Sequence, residues 1–424
     1  MKKKNAFKSI LKLLVLHLMV IAAFTQPALV GRLLIPALSP HVAFTGAVAA
    51  RTAGLAVLFC LPMFVLVTMR RRWFCRWLCP VGLIVDSCAK LRPGAAYGYR
   101  KIPPLGQWLM LATLGGAVVG WPLFLWLDPL SIFTASLNGS RWPLDAAATA
   151  SLAVMGGIVV MSFILPKFWC LKLCPLGGMQ ETLFGAKLMA TRKNSEIPAS
   201  LSPLALARRS AIFVGLGVAG GLAVARADRK RNQPRLRPPG AVDDTAFKGL
   251  CARCGNCVRA CPTGIIGQDL RVSDPAGLLT PVVCFKKGIR DEADAGKYCR
   301  EDCHACTQVC PTGAIESLSL KDKLCRPIGL AKVDMAGCLL THGVMCNVCT
   351  FEICPQGAIT ANELDAFETD IVIDAAKCNG CGACVLECPQ KVIEVVPNGR
   401  YEIEPIEMKD AAPAAGQGLK GLGT

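Results

Sequence analysis

The chain has 424 residues, of which 53% are apolar and only 18% charged, with a formal net charge of +17 and a mean hydropathy of +0.43. A soluble protein carries about 25% charged residues, so this composition excludes a disordered chain and speaks against a wholly soluble one. The positive excess suits nucleic acid or a membrane surface, and its distribution along the chain favours the membrane, with no nucleic-acid partner expected. Of the 24 cysteines, 6 precede residue 200 and 18 lie between Cys251 and Cys388, while 4 histidines are too few for a multi-haem protein.

Apolar runs come first in the chain, at about Ile10–Phe24, Ala49–Val67, Leu105–Leu127 and Ala150–Leu165. A transmembrane helix needs about 20 apolar residues, so these runs predict four spans, the first and last slightly short. Lys2-Lys3-Lys4 before the first run is read as the flank of an uncleaved helix, because more spans follow and no small-x-small cleavage site closes it. Basic residues crowd the stretch from Arg70 to Lys101 and the stretch from Lys167 to Arg209, whereas Arg141 stands alone between the third and fourth runs. By the positive-inside rule the N-terminus and both basic stretches are cytoplasmic.

Both basic stretches carry the same motif. Trp73-Phe74-Cys75-Arg76-Trp77-Leu78-Cys79-Pro80-Val81-Gly82 follows the second run, and Phe168-Trp169-Cys170-Leu171-Lys172-Leu173-Cys174-Pro175-Leu176-Gly177 follows the fourth. Brought together, Cys75, Cys79, Cys170 and Cys174 could hold a metal or an iron–sulfur centre, since soft thiolates suit iron–sulfur, zinc or copper(I). The plainer alternative is four buried thiols beside a helix-ending proline. Cys60 and Cys88 lack such partners and read as packing residues.

A weaker apolar run to Ala225 opens with Arg208-Arg209, the twin-arginine pattern of an export signal for a folded domain. Its Gly215-x-Gly217-x-x-Gly220 is a decoy for a dinucleotide fingerprint: no strand–turn–helix unit surrounds it, and small residues in a membrane helix account for it. The basic residues from Arg226 to Arg237 argue against crossing, but the rule weakens for long translocated domains, so the C-terminal part is placed outside. Pro234 to Ala241 reads as a stiff linker.

Cys251-x2-Cys254-x2-Cys257-x3-Cys261-Pro262 and Cys378-x2-Cys381-x2-Cys384-x3-Cys388-Pro389 match the bacterial ferredoxin run, in which the fourth cysteine ligates the other cluster of a pair. Looser groups lie between them: Cys299, Cys303, Cys306 and Cys310, then Cys338, Cys346, Cys349 and Cys354, each ending in Cys-Pro. Four groups of four supply ligands for four [4Fe–4S] clusters. Zinc sites use pairs of C-x2-C, and a disulfide framework gives no reason for the repeated spacing. Cys284 and Cys325 are left over as plain thiols. His304 follows Cys303 but misses the haem-attachment spacing by one residue, and His17, His41 and His342 are isolated and read as structural. A short helix is expected after each Cys-Pro, then a strand such as Ile371-Val372-Ile373.

Residues 1–195, with the paired Cys-x3-Cys-Pro motifs, resemble the NapH family of membrane ferredoxin-type proteins and, more distantly, the NosR and CcoG families. From about residue 205 the chain resembles the NapG and MauM families, through Arg208-Arg209, Arg237-Pro238-Pro239-Gly240-Ala241 and the four cysteine groups in order. The resemblance implies an α-helical membrane domain (1–195, four transmembrane helices), a fifth, twin-arginine-type segment (205–228), a linker (229–245), an α+β ferredoxin-like polyferredoxin domain (246–405) and a disordered tail (406–424). It also implies that the first group shares its fourth cysteine with the fourth group, and the second with the third: Cys388 with Cys251/254/257, Cys261 with Cys378/381/384, Cys354 with Cys299/303/306, and Cys310 with Cys338/346/349. The expected function is electron transfer in a bacterial inner membrane, from the quinone pool (as a quinol dehydrogenase) or a cytoplasmic donor to a periplasmic redox partner such as a multi-haem cytochrome or terminal reductase. The alternative is a maturation factor that reduces or delivers copper or iron to a respiratory enzyme. No acid–base or nucleophilic constellation is present, so no catalytic residue is assigned.

Overall fold

A computed structural model of the chain describes residues 10–18, 21, 35–52, 55–91, 99, 102–139, 146–191, 203–231, 234–285, 298–351, 353–365 and 368–397. Its first half is helical: α1 (Pro40–Ala50), α2 (Leu55–Met69), α3 (Trp73–Trp77), α4 (Pro80–Leu91), α5 (Leu105–Val118), α6 (Pro129–Gly139), α7 (Ala146–Ile164), α8 (Pro175–Thr191) and α9 (Pro203–Arg231). Residues 10–18 are helical as well. These helices bury Val67, Phe74, Val81, Val85, Leu130 and Leu176 against one another. They turn Leu58, Leu61, Val65, Val154, Val160, Phe163, Ile212 and Leu216 outward.

The run lengths need correction. Only α7, with 19 residues, and Arg208–Arg231 of α9, with 24, are long and apolar enough to cross a membrane among the described residues. The expected 49–67 span is interrupted because Arg51 adopts left-handed backbone (φ 54°) and closes α1, so α2 starts afresh at Leu55. The expected 105–127 span stops at Val118, where Gly120 (φ 81°) turns the chain back and the Trp121 amide bonds to the Gly116 carbonyl at 2.8 Å. Much of the first expected span, the lysines before it and the 406–424 tail lie outside the described residues. The segment read as weakest, α9, is thus one of the two that meet the length requirement.

Helix α9 lies parallel to α5. Phe213 stacks on Trp108 with ring centroids 4.7 Å apart, and a Cβ on Gly217 would stand 2.1 Å from the Ala112 carbonyl oxygen. Gly221 approaches Gly116 one turn further on. Of the small residues that mimic a nucleotide fingerprint, Gly217 is therefore a helix contact, where close backbone approach requires a small residue, while Gly215 meets nothing within 4 Å.

The second half, the head, contains α10 (Asp244–Leu250), α11 (Asn256–Ala260), α12 (Leu320–Leu324), α13 (Val348–Phe351) and α14 (Ala383–Glu387). Among the described residues it has three two-stranded antiparallel sheets: β1 (Ile266–Gln268) with β2 (Pro281–Val283), β3 (Leu330–Val333) with β6 (Ile393–Val396), and β4 (Ile359–Asp365) with β5 (Glu368–Ile373). The pairings nest. The third cysteine group lies between β3 and β4 and the fourth between β5 and β6, so pairing β4 with β5 inside and β3 with β6 outside sets the two groups face to face. The first two groups obey the same plan, with β1–β2 inside and an Ala241–Ile315 bridge outside. The head is two copies of one unit.

Two local expectations fail here. Among the described residues no helix follows Cys261-Pro262, Cys354-Pro355 or Cys388-Pro389 before the next strand, and α12 comes only nine residues after Pro311; short helices α11, α13 and α14 instead precede Cys261, Cys354 and Cys388. A Cys-x3-Cys spacing spans one helical turn, and Gly255 and Gly382, in left-handed backbone (φ 73° and 83°), start two of those turns. The 229–245 stretch is no free linker either. Arg237 is buried, donates to Asp244 Oδ1 (2.6 Å), Thr280 Oγ1 (2.9 Å) and the Pro281 carbonyl (2.7 Å), and stacks over Phe247. Its planar guanidinium supplies the donors that knit the segment into the head.

Candidate functional site

Two structures gather cysteines, one in each half. In the helical half the two motif copies, an α-helical turn at Trp73–Trp77 and a π-helical one at Trp169–Leu173, end on the same hydrogen bond. The Cys79 amide reaches back five residues to the Phe74 carbonyl (3.0 Å), and the Cys174 amide to that of Trp169 (2.9 Å). Such π-type turns are rare and recur at functional sites. Each sulfur then accepts from the following helix: Cys79 Sγ from the Gly82 amide (3.3 Å), Cys174 Sγ from that of Gly177 (3.4 Å). A Cβ on either glycine would meet the Cys75 or Cys170 carbonyl at 2.9 Å, so the motif's final Gly lets the helix close over its own turn.

The two copies face each other. Cys75, Cys79, Cys170 and Cys174 lie close enough for each pair of turns to feel the other's charge. Gln180 Nε2 donates to Cys75 Sγ at 3.0 Å, a contact the motif alone does not show. Arg72 donates to the Cys170 carbonyl at 3.1 Å and, with Arg71, clasps Glu181. Lys12, ion-paired to Asp86 at 2.7 Å, adds a second cation. Four thiolates between fixed cations suit an anionic inorganic centre. Beside the quartet opens a cavity of about 620 Å³, lined by Arg71, Arg72, Tyr99, Gln107, Lys167 and Lys172 among others.

In the head the sixteen motif cysteines form four sets of four. Cys251, Cys254 and Cys257 meet Cys310. Cys299, Cys303 and Cys306 meet Cys261 around one cavity. Cys338, Cys346 and Cys349 surround another with Cys388, and Cys378, Cys381 and Cys384 a third with Cys354. Each set takes three thiols from one group and one from its neighbour. The pairing implied by resemblance is therefore corrected: the first group exchanges with the second and the third with the fourth. The nested strand pairings are the physical reason, since they oppose neighbours in sequence.

Burial pushes the bare thiols of Cys254, Cys306 and Cys384 up to about 12, and those of Cys251, Cys349 and Cys381 up to about 11. A metal centre takes cysteine as thiolate, so loading these sets releases protons. Backbone amides already point at the sulfurs: Arg253 N at Cys251 (3.4 Å), Ile315 N at Cys310 (3.4 Å) and Ala358 N at Cys354 (3.3 Å). Hydrogen bonds of this kind set cluster potential. In three of the sets the four thiols ring a space. The donor set thus fits a [4Fe–4S] cube, held by three thiols of a run and one from the adjoining run.

Cys60, Cys88, His41 and His342 lie outside the five cysteine sets. Cys60 and Cys88 are buried in the helical core. His41 is buried against Asp128, whose carboxylate accepts from Ser39 Oγ (2.6 Å) and the Leu130 amide (2.9 Å). His342 contacts the Ala336 carbonyl.

The seat of the head was not legible in any motif. Asn138 Nδ2 donates to the Cys254 carbonyl (2.9 Å) and to Asn256 Oδ1 (3.0 Å), and the Arg253 guanidinium lies 5.2 Å from the Trp126 ring centre. Lys248, only 5% exposed, joins Asp228 Oδ1 of α9 (2.9 Å), Asp274 Oδ2 (2.9 Å) and Asp244 Oδ2 (3.1 Å). Burial opposes its charge, but these three carboxylates outweigh it and raise its pKa. Only the Asp244/Lys248 spacing of four was visible in sequence.

Two nested cysteine-exchanging units define a ferredoxin-type iron–sulfur protein with dicluster architecture. A 4Fe-4S dicluster domain model matches residues 344–392, and a 4Fe-4S binding domain model matches residues 52–95 and 147–196, which hold the two motifs of the helical half. The methylamine utilization ferredoxin-type protein MauM of Methylobacillus flagellatus is 34% identical over 43% of this chain and 79% of its own. The ferredoxin-type protein NapG of Escherichia coli K12 is 34% identical over 44% and 79%, and the ferredoxin-type protein NapF of Haemophilus influenzae 30% over 39% and 81%. The chain belongs to the MauM/NapG family of ferredoxin-type proteins. No solved structure matches it.

Proposed function

We propose that the chain is a multi-pass protein of the bacterial cytoplasmic membrane that carries electrons, through four [4Fe–4S] clusters in its head, between the quinone pool or a cytoplasmic donor and an extracytoplasmic redox protein such as a multi-haem cytochrome or reductase. The exchange of cysteines among four sets carries this reading, because it is the arrangement that places two cubes side by side in each unit. The residues assigned as ligands are Cys251/254/257/310, Cys261/299/303/306, Cys338/346/349/388 and Cys354/378/381/384.

Membrane embedding is supported by the apolar exterior of α2, α7 and α9. Orientation is supported by polarity of the helical half. Arg70, Arg71, Arg72, Arg76, Lys167 and Lys172 surround the thiol quartet at one end, which the positive-inside rule assigns to the cytoplasm. The head sits at the other end, on Trp121, Trp126 and Asn138. Helix α5 starts with Gly106 against the Cys174 carbonyl and leads to Trp121 beneath Gly249; its 14 residues put the two sites roughly 20 Å apart.

Cys75, Cys79, Cys170 and Cys174 are assigned to a further iron–sulfur or metal centre, supported by their convergence and by the 4Fe-4S binding domain match over both motifs. The cavity beside them favours a second reading, in which this end receives a metal for delivery to another enzyme. Anaerobic purification with iron and sulfide counting and low-temperature EPR tests both. About sixteen irons are expected from the head and about four more if the quartet holds a cube. Replacing all four quartet cysteines by serine should remove only the additional iron. A colourless or zinc-filled preparation overturns the electron-transfer reading; loss of copper or iron delivery with quinol oxidation intact selects the maturation reading.

A further inference from the structure

The four cysteine sets are not equivalent in their surroundings. The Cys251/254/257/310 set rests on the helical half. Asn138 holds the Cys254 carbonyl, Ala252 packs with Val42 and Leu125, and a Cβ on Gly46 would lie 3.3 Å from the Thr312 backbone, two residues from Cys310. The next set is within reach of the first, since Cys257 feels Cys306 and α11 spans the gap from Cys257 to Cys261. The two units then join through the second set, where the Cys299 amide donates to the Cys381 carbonyl at 2.9 Å and Cys381 feels Cys299. Gln356 and Glu301 hydrogen-bond across the same junction. Finally α14 spans from Cys384 to Cys388, and Cys338, Cys349, Cys354, Cys378, Cys384 and Cys388 share one cluster of packed side chains. The spacer from Cys338 to Cys346 is exposed from Thr341 to Met345, with Val344 49% and Met345 98% exposed.

We propose that the cysteine sets form a single file, in the order Cys251/254/257/310, Cys261/299/303/306, Cys354/378/381/384, Cys338/346/349/388, with electrons exchanged with the membrane at the first and with an aqueous redox protein at the last. Order in space thus differs from order in sequence, the third and fourth groups being transposed. The inference rests on the proposed [4Fe–4S] loading. Each bound centre supplies a one-electron couple; a donor is oxidised by one electron at one end and an aqueous acceptor reduced by one electron at the other, and no proton or atom is transferred between sets. The chain's part is spatial. Asn138 and Lys248 fix the near end, the Cys299–Cys381 bond joins the units, and the 339–345 spacer leaves the far set open to water.

The test is EPR of the full-length, dithionite-reduced protein in detergent, with iron counted in each sample. In Cys303→Ser the first set should lose its magnetic partner and give an isolated signal, while the outer two remain spin-coupled. In Cys346→Ser the coupling between the first and second sets should persist. Aqueous dysprosium–EDTA should speed relaxation of the signal missing from Cys346→Ser severalfold more than that missing from Cys254→Ser. A first-set signal still broadened in Cys303→Ser, or dysprosium acting most on the Cys254 signal, overturns the order. If Cys303→Ser fails to accumulate, Cys346→Ser with dysprosium gives the same discrimination. Near-sixteen iron in the unmutated protein with the wrong coupling pattern sinks this inference alone; absent iron sinks the reading beneath it.

Discussion

The helical half and the head assemble cysteines by opposite means. In the helical half the thiols stand 95 positions apart in sequence, Cys75 against Cys170 and Cys79 against Cys174, and helices with their own core bring them together. In the head the thiols are close in sequence, but what surrounds them is slight: helices of four to seven residues and three two-stranded sheets. Isolated helices and hairpins of that size are marginal in water. Cys338, Cys378, Cys384 and Cys388 themselves form part of the buried cluster. The helical half therefore makes its site from a fold, whereas the head makes its fold from its sites, as small metal-stabilised domains do.

Stripping iron separates the halves most sharply. Chelation under anaerobic acid conditions should abolish protease resistance beyond about residue 245 while the helical circular-dichroism signal persists; equal loss in both halves would break the contrast. Next in size is the seat. Lys248→Met removes the cation shared by Asp228, Asp244 and Asp274, leaving only Asp244 with a buried partner in Arg237, and breaking such a group costs about 3–5 kcal/mol. The head should detach, read as faster cleavage at the α9–head boundary, with iron content kept. Smaller again is Gly217→Leu, which pushes α9 from α5 at the Ala112 carbonyl and costs about 1–3 kcal/mol by overpacking. Its thermal midpoint in detergent should fall with the head's EPR unchanged. A head signal altered by Gly217→Leu would show the halves to be one cooperative body.

Much of the site was legible because thiol spacing is a local geometric requirement. The ferredoxin runs, the repeated Cys-x3-Cys-Pro and the strand at Ile371-Val372-Ile373 all appear where spacing and pattern put them. Helix ends were less so. The break at Arg51 and the turn at Gly120 sit inside apolar runs, and only a left-handed residue or a chain reversal marks them. The glycines of α9 were legible as small residues of a helix, but their partner was not: Trp108 and Ala112 supply the surface that Phe213 and Gly217 contact. The stretch around Arg237 looked like a linker because its partners Thr280 and Pro281 lie more than forty residues away.

Sequence alone determined the pattern: cysteines in groups of four, each closing on Cys-Pro, and a greasy half joined to a cysteine-dense one. These follow from residue type and short spacing, which survive any arrangement of the rest. Which groups exchange their fourth cysteine, how the sets line up, and where the head sits were decided only in three dimensions. Nested antiparallel strands and a lysine buried among three aspartates set those relations, and contacts between distant segments leave no periodic trace along the chain.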